Sequence, residues 1–479
     1  VRLFADRARR LDKNFRLSAE ELPHVVRICQ LVDGLPLGIE LAATSVQEYG
    51  TAEIAAKVAQ SPGMLETNFQ DLRPQHRSLR HVFDYSWSLL TPEEQAILAQ
   101  LAIFRGGFSA EAAQAVAGAS RLVITHLRYK SLLVSTSAGL YDMHEIVRQF
   151  SLENLEKLQT PLGESARARV EEKHANYYLK FLHQHEQALY GATPRLTASR
   201  IQPSLDNIRQ AWRWAVAHAA WEWVEKSVVA LSRFYEFSGL FAEAIANYCH
   251  ADGQVARQLQ EASRAEMDRT EIDRLRRIHV RIRVELADHL HAQGRYQETE
   301  PILAQAIELS ELADDQYGRM RAMLMLANHR LVQGKNDQAF ELFSTAHTLA
   351  QAGGYPLYEG LTLRGLGNIW RQRGDFNAFE ACLQQALRIQ RSIGNLAEVY
   401  TLLTWLGGYR QLKRDICGGR LLLEEALSLN DAVADPYREA ILRTNLARND
   451  AFLGRYDTAR VQIRQLIKNL QQDEDRWHL

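Results

Sequence analysis

The stretch LADHLHAQG at residues 286–294 returns as LANHRLVQG at residues 326–334 and as LGNIWRQRG at residues 366–374. Each copy begins with leucine and a small residue, ends on glycine, and starts 40 residues after the copy before it. The same leucine and small residue return at two further positions, Leu406-Gly407 and Leu446-Ala447. Self-similarity at a fixed period of this length indicates a stacked array of helical repeats. The pattern therefore predicts an α-solenoid, a class of protein that acts mostly by binding along a concave surface.

The predicted array covers residues 166–479 as antiparallel helix pairs, with a turn glycine between the two helices of most pairs. One earlier copy of the pattern ends at Gly239, which lies 55 residues before Gly294 instead of 40. About fifteen extra residues must therefore lie between these two glycines. We place them in the charged stretch 258–273.

The composition favours a folded protein of balanced charge. The chain has 479 residues, of which 46% are hydrophobic, which is enough for a large core and argues against global disorder. It carries 57 basic and 58 acidic residues, a formal net charge of -1. Such a balance provides no global field that would attract nucleic acid or an anionic membrane, and no apolar run approaches the length of a membrane span. We therefore expect neither as a partner of this chain.

The chain begins Val1-Arg2-Leu3-Phe4, which is not a secretion signal because a charged helical pattern starts at once. It has no initiator methionine there, and we expect that it starts inside a larger protein. The four cysteines stand far apart, with neither a C-x-x-C pair nor the Cys/His spacing of a zinc site. A cytoplasmic protein without a metal site fits this usage best.

Two further domains are predicted before the array. Residues 1–60 read as helices, interrupted where Pro36 cannot continue a helix from the residues before it. Residues 76–158 read as a small domain of three helices, a β-hairpin and a closing helix, the elements of a winged-helix domain. One of its helices should begin with a capping box at Thr91-Pro92-Glu93-Glu94. The predicted fold class is therefore all-α, with one small β-hairpin.

The repeats resemble tetratricopeptide repeats. The turn glycine follows the small residue by seven positions, and an alanine follows that glycine by twelve, as at Ala287, Gly294 and Ala306. The departure is in length, since the usual unit has 34 residues and this one has 40. The extra residues of each unit must lengthen its helices or its loops. Long units of this type are familiar in bacterial signalling ATPases.

The front half carries segments in a characteristic order: Gly34-Leu35-Pro36-Leu37, Phe104-Arg105-Gly106-Gly107-Phe108, Tyr141-Asp142-Met143-His144-Glu145 and Leu205-Asp206-Asn207-Ile208-Arg209. Together they resemble the GLPL segment, the winged helix, the MHD segment and the junction to the repeats in STAND-class signal-transduction ATPases. This class includes plant resistance proteins and bacterial maltose-type regulators. The resemblance covers nearly the whole chain in order.

The resemblance implies that Pro36 lines an adenine pocket and that His144 contacts the phosphates of bound ADP. Glu145 stands where the class often has aspartate. No G-x-x-x-x-G-K-[ST] phosphate loop occurs in this chain, so ADP or ATP with Mg²⁺ is expected only if an upstream ATPase core is present. Taken alone, the GLPL segment could be an ordinary helix-turn-helix, and His144 a helix-start residue without a ligand.

In tetratricopeptide folds the first helix of each unit lines the groove, and the register places polar side chains there. The predicted groove residues are Arg281, Arg321, Asn328, Arg364, Asn368 and Arg371. Forked arginine donors and asparagine amides suit carboxylates and peptide backbone. An acidic peptide segment or a chain terminus is therefore the favoured ligand. The alternative is a solvated face without a ligand.

The favoured hypothesis is the regulatory and sensor portion of a STAND-type, ATP-dependent switch. The repeats would bind an activating peptide or protein, and the winged helix would gate ADP/ATP exchange and homo-oligomerisation for an upstream effector. One alternative is a stand-alone tetratricopeptide scaffold for protein–protein interaction. Another is a winged-helix transcriptional regulator, although the domain's charges are mixed where a DNA reader presents a basic face.

No catalytic centre is expected in this chain. The run His144-Glu145-Ile146-Val147-Arg148 begins like a zinc-protease helix, but Arg148 takes the place of the second histidine. No Gly-x-Ser-x-Gly nucleophile elbow occurs. The parent protein would be an ATPase only through its upstream core.

Overall fold

The computed structural model describes residues 1–32, 34, 36–60, 83–136, 139–158, 165–191, 194–265, 268–433 and 436–477. The chain divides into two compact units, Val1–Leu179 with Pro203–Trp214, and Lys180–Gln202 with Ala215–Leu479. The three domain boundaries given above stay a prediction. Leu35 of the GLPL segment and residues 76–82 of the expected small domain lie outside the described residues.

The first unit contains short helices and a two-stranded hairpin. Its helices are α1 (Arg2–Leu11), α2 (Leu22–Leu31), α3 (Pro36–Thr44), α4 (Thr51–Gln60), α5 (Pro92–Leu101), α6 (Ala110–Ala117), α7 (Arg121–Tyr129) and α8 (Glu145–Lys157), and residues 83–88 are also helical. Strands β1 (Val134–Ser135) and β2 (Tyr141–Asp142) pair antiparallel, with Val134 opposite Asp142. The predicted capping box is present, since the Thr91 side chain accepts from the Glu94 backbone and the Glu94 carboxylate accepts from Thr91.

The chain continues as helices through its remaining described residues. They are α9 (Ala166–Gln184), α10 (Glu186–Tyr190), α11 (Pro194–Ile201), α12 (Leu205–Ala217), α13 (Trp221–Ser238), α14 (Phe241–Arg264), α15 (Arg269–Ala292), α16 (Tyr296–Leu312), α17 (Gln316–Val332), α18 (Asn336–Ala352), α19 (Pro356–Gln372), α20 (Phe376–Ser392), α21 (Leu396–Leu412), α22 (Ile416–Ser428), α23 (Asn430–Val433), α24 (Pro436–Phe452) and α25 (Tyr456–Trp477). The predicted helical repeats are thus confirmed, and the fold is nearly all-α. We call α13, α15, α17, α19, α21 and α24 the first helices, because each opens a repeat.

The 40-residue period comes from the helices. The six helices α16 to α21 have 17 residues each, and three residues connect each one to the next. Two such helices and two connections give one period. The residues beyond the usual 34 therefore lengthen helices, because the connections are already short.

The fifteen extra residues of the early repeat also lengthen helices. Helices α14 and α15 have 24 residues each, seven more than the helices of the regular units. Their connection is one residue longer than the others. The predicted place of the insertion is therefore correct, and no separate element is formed there by the described residues.

The turns inside the repeats need a left-handed residue. Gly294 has φ +72°, and its equivalents Gly334, Gly374 and Gly454 have similar values. Arg414 takes the same turn with φ +63° although it carries a Cβ. A non-glycine residue in this region costs about 1–2 kcal/mol. The repeat tolerates that cost at one turn.

Small residues allow the helices to approach closely. Ala306, Ala346, Ala386 and Ala426 are fully buried between helices. A Cβ added at Gly367 would collide with the side chain of Leu383. The small-residue positions that set the sequence register are therefore contact positions between neighbouring helices.

No helix among the described residues is long and apolar enough to cross a membrane.

Candidate functional site

A cleft of about 370 Å³ is lined only by residues of four consecutive first helices. Its volume lies at the lower end of the range of roughly 300–1,000 Å³ for ligand pockets. The lining residues are Asp288, His291, Met325, Asn328, Leu331, Val332, Arg364, Gly365, Asn368 and Trp405. We call this the first-helix cleft.

Three of the six predicted groove residues meet in this cleft: Asn328, Arg364 and Asn368. Asp288, Asn328 and Asn368 hold the same place in three successive repeats, directly after the small residue. Helical repeats of equal length stack equivalent positions side by side, which explains why the three polar groups line one surface. Arg281, Arg321 and Arg371 are not among the lining residues.

Arg321 is buried, contrary to the expectation that it faces solvent. Only 9% of the residue is exposed, and its guanidinium pairs with Glu285 of the preceding first helix. The rings of Tyr317 and Tyr358 lie 5.9 and 5.8 Å from the guanidinium carbon. An acid and two aromatic rings therefore cover Arg321, and its replacement would test folding rather than recognition.

The other two arginines of the same face also have acidic partners. Arg281 lies 3.1 Å from Glu225 of α13, and Arg364 lies 2.9 Å from Glu398 of α21. Each partner belongs to a neighbouring first helix. The arginines therefore connect repeats, and each of the three already has an acidic partner on this face.

The amides are more available. Asn328 makes no side-chain hydrogen bond with any described residue, and it is partly exposed. The Asn368 carbonyl oxygen accepts from Arg371 Nη2 at 2.8 Å, which leaves the Asn368 NH₂ group to donate elsewhere. Arg371 itself is exposed. A ligand in the cleft can therefore use both asparagines, which offer amide donors and one open carbonyl acceptor.

Asp288 has an unusual electrostatic environment for a carboxylate. Burial raises its pKa to about 7, and the nearby charges of Glu236 and Glu285 act in the same direction. The charges of Arg233 and Arg321 oppose this rise. No described residue donates a hydrogen bond to the Asp288 carboxylate or forms an ion pair with it. A partly buried carboxylate that lacks a direct partner among the described residues is a candidate binding group.

His291 and Trp405 are among the cleft residues that were not predicted from the sequence. Burial and the nearby His329 lower the pKa of His291, so its ring is neutral near pH 7. Trp405 lies over Arg364, with 5.9 Å from its ring to the guanidinium carbon. Trp405 precedes the repeat leucine, a place that is taken in earlier repeats by Glu285, Met325 and Gly365. Such variation at one place of the repeat could have indicated a position that faces a ligand.

The chain's own segment α10–α11 packs on the first helices. The ring of Tyr190 lies 4.4 Å from the Arg233 guanidinium carbon, and Leu189 is almost fully buried. Helix α11 contacts both α13, in an early repeat, and α23, which lies just before the last repeat. The segment therefore joins early and late repeats and covers part of the first-helix face.

The two predicted nucleotide-binding residues are exposed. Pro36 opens helix α3, and His144 caps helix α8, where its Nδ1 accepts from the Ile146 backbone at 3.4 Å. Their proposed role at ADP stays a prediction. Among the described residues, no cluster of histidine, cysteine, aspartate and glutamate could hold a metal ion.

The segments that carry the family resemblance interlock in the first unit. The Asn207 side chain accepts from the Arg105 backbone at 2.8 Å and donates to the Gly107 carbonyl at 3.1 Å. Arg148, which is 3% exposed, donates to the Phe104 carbonyl and pairs with Asp142 at 2.8 Å. Buried polar groups need such partners, so these residues hold the three segments in place.

Comparisons with known proteins agree with this fold at a coarse level. No protein-family model matches the chain. A protein of Mycobacterium bovis that is provisionally named an HTH-type transcriptional regulator is 33% identical over 225 residues, which are 45% of this chain and 25% of that protein. An uncharacterized protein of the same organism is 35% identical over 116 residues, which are 24% of this chain and 30% of that protein. The matches thus span a quarter to a third of the length of these relatives.

One solved structure is similar over nearly the whole chain. It is the Signal Transduction ATPase with Numerous Domains (STAND) protein with a tetratricopeptide repeat sensor from Pyrococcus horikoshii. The likeness has a TM-score of 0.50 at 16% identity, and it covers 98% of this chain and 65% of that protein. At this identity the likeness shows the fold alone.

Proposed function

We propose that this chain is the sensor portion of a STAND-type signalling switch, and that its repeats bind an activating peptide or protein in the first-helix cleft. The observation that carries this proposal is the cleft itself, in which Asp288, Asn328 and Asn368 repeat one polar position along three consecutive helices. Open amides and an apolar wall suit an extended peptide, because its backbone can pair with the amides.

The finer parts of the proposal follow the family resemblance. The helices and hairpin of residues 83–158 would form a winged helix that gates ADP/ATP exchange, with Pro36 at the adenine and His144 at the phosphates. The activated form would assemble with further copies and act through an upstream effector. A stand-alone scaffold would instead bind its partner with no dependence on nucleotide.

The binding part is tested by filling the cleft. Asn328→Trp should abolish binding of random-sequence, fluorescently labelled peptide pools to the full chain, because the larger side chain occupies the space that the ligand needs. Glu341→Trp is the matched control, since Glu341 is exposed on the second helix α18. Circular dichroism checks that both variants fold. Unchanged peptide binding by Asn328→Trp would refute the cleft as the binding site.

The nucleotide part is tested in the longer protein that carries an ATPase core. His144→Ala should loosen ADP, because a charge-assisted or neutral hydrogen bond from imidazole to phosphate is lost. Release of ADP during purification then rises, and basal activity rises with it. Retention equal to that of the unaltered protein would count against the assignment of His144.

Transcriptional regulation is the second candidate function, and the provisional name of the Mycobacterium bovis relative favours it. Helix α7 would then contact the DNA, because its residues Arg121 and Arg128 are exposed. Arg121 already lies 3.2 Å from Glu111, and Lys130 lies 3.7 Å from Glu94, which reduces the positive field of this helix. Binding of the full chain to duplex DNA that weakens steeply with salt, and that is lost in Arg128→Ala, would favour this candidate.

A further inference from the structure

The charged side chains of the first-helix cleft do not favour an anionic ligand. Its one arginine, Arg364, pairs with Glu398, whose side chain is only 12% exposed. Its histidine, His291, is neutral near pH 7 for the reasons given above. The carboxylate of Asp288 is therefore the one charge of the described cleft residues that lacks a direct partner of opposite sign.

The negative charges near Asp288 also favour the binding of a cation. Burial is the largest cause of the raised pKa of Asp288, and the charges of Glu236 and Glu285 raise it further. Arg233 forms an ion pair with Glu236, and Arg321 forms one with Glu285. A partly buried carboxylate is stabilised by a cation that also donates hydrogen bonds to it. An ammonium or guanidinium group placed in the cleft would be such a cation.

The remaining cleft residues indicate what should be attached to the cation. Leu331, Val332 and Met325 provide an apolar wall along α17, and Trp405 adds an aromatic ring. Lysine and arginine side chains carry a long apolar stem below the charge, which packs on such a wall. Asn328 and Asn368 offer amide groups to a peptide backbone next to that stem.

We propose that the first-helix cleft takes a lysine or arginine side chain of a peptide segment, with Asp288 as the group that selects the positive charge. This inference rests on the proposed peptide-binding function and reverses the ligand charge that the sequence predicts. An acidic segment is the expected ligand only if the arginines of this face have no acidic partners. Their carboxylate partners remove that condition.

The test uses peptide pools that are random except for one fixed residue: lysine, arginine, glutamate or norleucine. Binding of each pool to the full chain is measured by fluorescence anisotropy for the unaltered protein, Asp288→Asn and the control Glu341→Gln. We expect the lysine and arginine pools to bind about tenfold more tightly than the glutamate and norleucine pools, which corresponds to about 1.4 kcal/mol. The preference should disappear in Asp288→Asn and persist in Glu341→Gln.

The outcomes separate this inference from the proposed function. Binding with no preference, with a preference for glutamate, or with a basic preference that survives Asp288→Asn would overturn the inference and leave peptide binding in place. No binding by any pool to a folded chain would overturn both. Free lysine amide and agmatine serve as a further arm: if they bind as tightly as the peptide pools, the cleft takes a small organic cation and the peptide assignment fails.

Discussion

Two rows of polar residues on the first helices differ in whether their side chains are paired or available to a ligand. The arginine row, Arg281, Arg321 and Arg364, forms ion pairs with acids of neighbouring repeats, and Arg321 is almost completely buried. Asp288, Asn328 and Asn368 form the second row, which we call the amide row after its two asparagines. This row lines an open cleft and has no ion pair with a neighbouring repeat among the described residues. The repeat register placed both rows on the same helices. The difference shows that the repeat register determines the helix face on which a residue lies. The residues of the neighbouring repeat determine whether its side chain is available to a ligand.

The largest effect is expected for the arginine row. Arg321→Ala leaves the carboxylate of Glu285, whose side chain is 3% exposed, without its counter-charge. Loss of one partner of a buried pair costs about 3–5 kcal/mol of unfolding free energy. Urea denaturation measures this loss. The double variant Arg321→Met with Glu285→Leu should recover most of it, and an additive loss in the double variant would contradict the pairing.

A smaller, pH-dependent effect is expected for Asp288→Asn, which makes the amide row uniform. The folded protein raises the pKa of Asp288 from 3.8 to about 7. At pH values between 3.8 and about 7, the Asp288 carboxyl group is therefore protonated in the folded state and ionised in the unfolded state. Stability from this group is therefore present below about pH 4 and is lost as the pH rises toward 7. The charged neighbours Arg233, Glu236, Glu285 and Arg321 are the same in both proteins.

Denaturation at several pH values tests this sign. Asp288→Asn should be more stable than the unaltered chain above pH 7, by an amount on the order of 1–3 kcal/mol, and the difference should vanish near pH 4. A variant that is less stable than the unaltered chain at pH 8 would show that Asp288 has a cationic partner in the free protein.

An effect on binding rather than stability is expected for the amides. Asn328→Ala with Asn368→Ala should weaken the binding of the peptide pools about tenfold, since each net hydrogen bond contributes about 0.5–1.5 kcal/mol. Thermal denaturation should change little, because neither amide donates to another helix in the described part of the chain. A large loss of stability with unchanged binding would reverse the roles assigned to the two rows.

The smallest effect is expected for Arg371. It is exposed, and among the described residues it donates only to Asn368 on its own helix, so Arg371→Ala should change the unfolding free energy by no more than about 0.5 kcal/mol. The same measurement as for Arg321 provides the comparison. A loss close to that of Arg321→Ala would show that burial and ion pairing do not determine the contribution of an arginine.

Much of the fold could be predicted from the sequence because the repeat multiplies each signal. The leucine and small-residue positions, the turn glycines and the fifteen-residue insertion all follow from one period. The structure confirms helices at the leucine and small-residue positions and at the insertion, and left-handed turns at the glycines. The capping box at Thr91 is a local hydrogen-bond pattern that depends on four consecutive residues, so it too could be predicted. The segment α10–α11 has no repeat, and its packing on α13 and α23 gave no sequence signal.

The candidate site could be predicted only in part. Asn328, Arg364 and Asn368 meet as the register predicts. The acids that pair with the arginines could not be found in this way, because Glu225, Glu285 and Glu398 occupy three different places in their repeats. Ion pairs between repeats depend on three-dimensional neighbours that do not recur with the period.

The central claim is that the first-helix cleft binds a peptide. Its most direct test is amide hydrogen exchange of the full chain with and without the peptide pool that has a fixed lysine. If the first-helix cleft is the sensing site, protection should increase in the helices that carry the amide row, Arg269–Ala292, Gln316–Val332 and Pro356–Gln372. The second helices Asn336–Ala352 and Phe376–Ser392 should change little. Protection that is confined to the second helices, or to residues outside the repeats, would contradict the account.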